Sequence, residues 1–165
     1  MSTPSSQRMK RHESRILALS ALFCWEVGKG SPEDAFSQVA KDFFGADTEP
    51  GGVEQHDYSG KLFLAAVTNV SEIDRAISRS SQGWQVSRMP KVDLSILRLA
   101  IAEARYLKET PIEVVIDEAL ELSKEFSTYA SPRFVNGVLM GVFRQLGMVP
   151  TVPEQQCDQG RREDT

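Results

Sequence analysis

Histidine and cysteine are scarce in this sequence, two of each in 165 residues, and their placement removes several function classes. Cys24 lies in an apolar helical run and Cys157 in a polar tail, with no CxxC and no Cys/His cluster, so neither a disulfide framework nor a zinc site is expected. A chain of this length buries about 68–70% of the surface its unfolded form exposes and holds a core without such staples. His12 stands among basic residues and His56 among glycines and acids; both are expected to be solvated, with no catalytic role. Apolar stretches are broken by Glu, Arg or Ser well short of the ~20 residues a membrane span requires. The N-terminus has no apolar signal core, so a cytoplasmic protein with reduced thiols is expected. No P-loop, no glycine-rich dinucleotide fingerprint after a strand and no nucleophile elbow occurs. Asp117, Glu118, Glu121 and Glu125 lack the Glu-x-x-His pairing of a di-iron bundle and read as an outward face for solvent or a partner. Neither an enzymatic activity nor a bound cofactor is expected.

Helical spacing fills most of the chain. The composition, 41% hydrophobic and 25% charged, suits one globular domain over residues 1–147 followed by a polar, loose tail over 148–165. Ile16, Leu19, Phe23 and Val27 step by three and four before Gly28 and Gly30 end the run. Ser31-Pro32-Glu33-Asp34 combines an N-cap, proline at the first helical position and acids at the positive end of the dipole. Residues 45–57 (GADTEPGGVEQHD) have no period and read as a flexible connector. A helix resumes at Tyr58, and Ser71 with Asp74 resembles a fresh cap. From Asp93 to Lys108 the sequence is apolar on most of its circumference, which places that helix centrally. Thr110-Pro111-Ile112-Glu113 and Ser131-Pro132 each announce another helix start. Gly137 and Gly141 form a GxxxG, which in a soluble bundle signals close helix packing. With no alternating strand pattern, the expected fold is all-α, about seven helices packed around the Asp93–Lys108 segment.

The net charge of −4 is unevenly placed. Residues 1–15 hold four basic residues (Arg8, Lys10, Arg11, Arg15) against Glu13, a net +3, which leaves 15 basic against 22 acidic residues, −7, for the rest. A basic arm on an acidic body is a footprint of nucleic-acid contact as well as of a solvated leader. The start of the last helix adds free N–H groups, the positive dipole end, Ser131 and Arg133, so the two segments together could hold phosphates. Phe23, Trp25, Tyr129 and Phe134 lie near them in sequence; most are expected in the core, and an exposed one could stack an unpaired base. No helix is basic along its length, which favours single-stranded RNA over a DNA groove. A protein-interaction module docking through its acidic helices without productive RNA contact is the alternative.

Three runs carry a family resemblance: VDLSILRLA at 92–100, PIEVVIDEALELSKEF at 111–126 and SPRFVNGVL at 131–139. They resemble the NusB family of bacterial transcription antitermination factors. The likeness reaches back to Arg15 through Trp25-Glu26 and covers most of residues 8–147, with Phe-Val-Asn-Gly-Val-Leu its most specific part. It implies two small helical bundles and binding of boxA RNA in ribosomal RNA leader transcripts. It also implies a ribosomal protein partner serving as NusE, and entry of the pair into an antitermination complex on RNA polymerase. By position, the family's RNA contacts correspond to Arg8, Lys10, Arg11, Arg15, Phe23, Ser131, Arg133, Phe134 and Asn136, and its NusE surface to Asp93, Ile112 and Glu118. Acidic groups suit that surface, since ribosomal proteins are commonly basic. Some relatives are dimers, and a homodimer that hid the arm would have to dissociate before binding RNA. The chain departs from the family pattern at Glu13, which dilutes the basic arm, at Ala130 where an acid is usual, at Ser127 where glycine is usual, and at Met140-Gly141 in place of Asp-Lys.

Overall fold

Seven α-helices form among the described residues of the computed structural model, residues 10–45, 57–81 and 84–149. Arg8, His56, Cys157, most of the 45–57 connector and the tail from residue 150 lie outside them. In chain order the helices are α1 (Arg11–Val27), α2 (Pro32–Phe44), α3 (Asp57–Thr68), α4 (Val70–Ser80), α5 (Lys91–Ala102), α6 (Ile112–Phe126) and α7 (Ser131–Gln145). A 3-10 turn, Val86–Arg88, precedes α5, and a five-residue π-turn, Glu103–Leu107, follows it. No strand occurs among the described residues.

The all-round apolar segment is central, as its sequence predicts. Every residue from Asp93 to Ala102 is buried, and α5 packs on α1, α3, α4, α6 and α7. On one side of it α1, α2 and α3 pack together, with the Phe36 and Phe63 rings 5.2 Å apart in their shared core. On the other side α7 lies across α4 and α6. Two groups of helices therefore share α5 as a common wall, and burying its whole circumference leaves no polar face for it to turn to water.

Helix starts follow the sequence in one case and depart from it in three. Ser31 caps α2, its Oγ accepting from the Asp34 N–H at 3.1 Å. Ser71 does not begin α4: that helix starts at Val70 after Asn69, whose side-chain amide donates to the Ala65 carbonyl. Thr110 forms no capping box; its hydroxyl donates to Glu103 at 3.0 Å. Ser131 lies inside the first turn of α7, preceded by Ala130, and its hydroxyl goes to Asp93. At Thr110 and Ser131 a partner on another element replaces the local backbone N–H as the hydrogen-bonding target.

The expected long helix from Asp93 to Lys108 changes pitch at Glu103. Insertion of an extra residue into the turn is the usual form of a π-bulge, and here it is closed by Lys108 in the left-handed region at φ 57°. It leaves the Glu103 carboxylate, 2% exposed, at the meeting point of α1, α3 and the approach to α6.

Candidate nucleic-acid interface

Arg15 does not belong to the exposed arm. Its side chain is 4% exposed, and its Nε lies 3.1 and 3.0 Å from the two Glu103 carboxylate oxygens. Tyr58 donates to the same carboxylate at 2.7 Å, and Glu118 lies 3.6 Å from the guanidinium. Burial disfavours the Arg15 charge, and the carboxylates more than restore it, so its pKa is raised. Burial also pushes the Tyr58 phenol up to about 12. The expectation of an RNA contact at Arg15 is thus corrected: its hydrogen-bonding capacity is spent inside the fold, because α1 enters the bundle one turn after its start.

The residues before it remain outside. Lys10 is exposed, at the N-cap position of α1. Arg11 is half exposed, 3.7 Å from Glu109, with its guanidinium 3.5 Å from the Tyr58 ring centroid. His12 is not simply solvated: Nδ1 lies 2.9 Å from Glu118 and Nε2 3.6 Å from Glu125. The Glu118 hydrogen bond raises its pKa above 6.5 against partial desolvation, with Glu125 assisting. Because Glu125 is in the last turn of α6, this clasp holds the opening turn of α1 directly before the turn that leads to α7.

That turn is tied down by a residue assigned above to a protein-binding surface. Asp93 is 3% exposed and accepts from both Ser127 Oγ, at 2.5 Å, and Ser131 Oγ, at 3.0 Å. With its proton committed to Asp93, Ser131 accepts from the Thr128 hydroxyl at 2.9 Å and from the Thr128 N–H at 3.3 Å. Asp93 is therefore corrected from partner contact to internal clasp, and Ser131, 2% exposed, from RNA contact to part of the same clasp. Their charge and hydroxyls satisfy one another across 34 and 38 residues of sequence, a pairing that spacing alone does not reveal.

Above the clasp the turn presents its side chains outward. Arg133 and Asn136 are exposed one turn apart on α7, and no ion pair engages Arg133 among the described residues. Phe134 is half-buried and meets Trp84 edge-on, with ring centroids 5.7 Å apart and the rings at 61°; Trp84 itself is 55% exposed. Sequence reading did not select Trp84, since only the fold brings it to α7. Tyr129 is fully exposed, whereas Phe23 is 36% exposed. Phe23 follows His12 by three turns on the same face of α1, about 16 Å along the axis. The fold therefore ties the α1 start to α6 through His12, sets Arg11 beside Glu109 ahead of α6, and exposes Arg133 and Asn136 on the opening turns of α7, with Phe23 three turns along α1.

Ile112 is partly buried against the core, and Glu118 is engaged with His12 and Arg15 while remaining 25% exposed. At the far end of α1, Glu26 accepts from Arg98 at 2.7 Å and Lys91 at 2.9 Å, while Arg98 grips both oxygens of Asp74 at 2.8 Å. Arg98 is buried; this network joins α1, α4 and α5 and is structural. No group of three or more His, Cys, Asp or Glu among the described residues could hold a metal ion, and no described helix is long and apolar enough to cross a membrane.

Comparison with known proteins matches this arrangement of helices and motifs. The sequence profile of the NusB family matches residues 12–144. The transcription antitermination protein NusB of Listeria monocytogenes is 37% identical over 134 residues, 81% of this chain and 96% of that protein. T. maritima NusB superposes with a TM-score of 0.73 at 29% identity, covering 84% of this chain and 94% of that one. A chain from the crystal structure of antitermination factors NusB and NusE in complex with double-stranded RNA superposes with a TM-score of 0.70 at 26% identity, covering 83% and 99%. A profile match over four-fifths of the sequence, on a fold whose two helical groups share a buried α5, makes this chain a member of the NusB family.

Proposed function

We propose that the protein is an RNA-binding transcription antitermination factor. In this reading it acts in the cytoplasm and binds boxA RNA of ribosomal RNA transcripts together with the ribosomal protein serving as NusE. The pair then joins RNA polymerase in an antitermination complex. Family membership supports the reading, as does a structural neighbour solved with NusE and RNA. The observation that supports it within this chain is the His12 clasp, which ties the opening turn of α1 to Glu118 and Glu125 of α6, the helix whose end leads toward Arg133. In this reading positive groups from both ends of the sequence face one strand. Lys10, Arg11, Arg133 and Asn136 serve as its polar contacts and Phe134 and Phe23 as apolar ones, with Arg8 extending the arm. Ile112 and Glu118 remain the positions proposed for NusE.

The test is titration of the full chain with boxA RNA, with and without the ribosomal protein. Saturable binding that weakens on scrambling the RNA sequence, and tightens with the protein partner, is expected. Sequence-indifferent binding at physiological salt overturns the reading.

A further inference from the structure

Exposed aromatic rings occur singly on many proteins without a function, so accessibility alone does not distinguish Tyr129. Three further features do. The turn that carries it is rigid: the Ser131 N–H donates to the Thr128 carbonyl at 3.0 Å, and the hydroxyls on either side converge on buried Asp93. The turn borders a concavity of about 710 Å³ lined by Lys124, Thr128, Tyr129, Pro132 and Arg133 among others, with no carboxylate in its wall. Lys124 reaches Glu121 in an exposed pair, and Arg133 has no such partner among the described residues. The phenol ring, the most exposed large apolar side chain among the described residues, is thus displayed on a fixed backbone in a concavity that Lys124 and Arg133 also line.

We propose that Tyr129 is a stacking platform for one unpaired base of the bound RNA, with Lys124 and Arg133 taking the flanking phosphates. Aromatic faces accept any base, and a ring beside cations is the arrangement used for single strands. With the backbone of the turn already fixed, only the side-chain rotations of Tyr129 have to be ordered when the base arrives. The inference rests on the RNA-binding reading and adds a residue to it.

Labelled boxA RNA is titrated against wild type, Tyr129→Ala, Tyr129→Phe, Arg133→Ala and Arg11→Ala across a salt series. Tyr129→Ala is expected to weaken binding about 5- to 150-fold with an unchanged salt slope, and Tyr129→Phe to bind nearly as wild type. Arg133→Ala is expected to lower the slope by about 0.7. An abasic site at the stacked nucleotide should weaken wild-type binding by the same factor and leave Tyr129→Ala binding unaffected. Since Tyr129 is fully exposed, its variants should melt at the wild-type temperature. Wild-type affinity for Tyr129→Ala beside weakened Arg11→Ala overturns the platform and spares the RNA reading. Absence of sequence-dependent binding by the wild type overturns that reading itself. Loss of affinity for the ribosomal protein in Tyr129→Ala without RNA assigns the ring to a protein contact and overturns the proposal. Equal loss on fully paired RNA overturns it too.

Discussion

Two side chains of the first helix, three residues apart, have opposite fates. Arg15 is sealed against Glu103, and removing one partner of a buried pair leaves the other charge without compensation. Arg15→Ala should therefore lower unfolding stability by about 3–5 kcal/mol in urea titrations, and a loss under about 1 kcal/mol would refute the structural role. His12 sits at the surface between Glu118 and Glu125, and its pKa is raised above 6.5. A raised folded-state pKa means that the clasp stabilises fully below about 6.5 and is lost as the pH rises through the folded value. Proton NMR should place the His12 midpoint above 6.5 and show it falling in Glu118→Gln. The stability of His12→Gln should depend less on pH than that of wild type across this range. Coincident midpoints in wild type and Glu118→Gln would show that the hydrogen bond does not hold the imidazolium.

At the level of helices, the GxxxG of α7 splits into two unlike positions. A Cβ on Gly141 would meet Ser80 Cβ of α4 at 3.2 Å, so this glycine does serve close packing. A Cβ on Gly137 would meet nothing within 4 Å. Glycine inside a helix costs about 0.5–1 kcal/mol relative to alanine, so Gly137→Ala should raise the unfolding free energy by that amount. Gly141→Val should lower it, because a branched side chain has no room against α4. Equal effects at the two sites would contradict the packing of α7 on α4. The π-turn after α5 belongs to the same scale: its irregular hydrogen bonding is held by Arg15, Tyr58 and Thr110 converging on Glu103.

For the whole molecule, a body of net negative charge must meet a polyanion through a small positive area. The salt dependence of binding reports how many cations take part, at about 0.7 per phosphate for a single strand. Arg11→Ala should lower that slope by about one contact, while Arg15→Ala, if folded, should leave it unchanged. Removing residues 1–9 takes Arg8 from the arm, so RNA affinity should fall. A truncated chain with undiminished affinity would place the arm outside the interface.

Helical periodicity, proline at helix starts and the apolar circumference of α5 were enough to assign an all-α fold, because these signals are local or are set by the average burial of a segment. Together with the Phe-Val-Asn-Gly-Val-Leu motif they also pointed to the family. The fate of individual polar groups was not legible. Arg11 and Arg15 are both arginines in one basic run, yet one is half exposed and the other is sealed. Asp93, Ser131 and Thr110 looked like surface or capping residues until α5, α6 and α7 came together. Whether a charge faces water or a buried partner depends on which distant segment packs against it, and that is decided only by the tertiary structure.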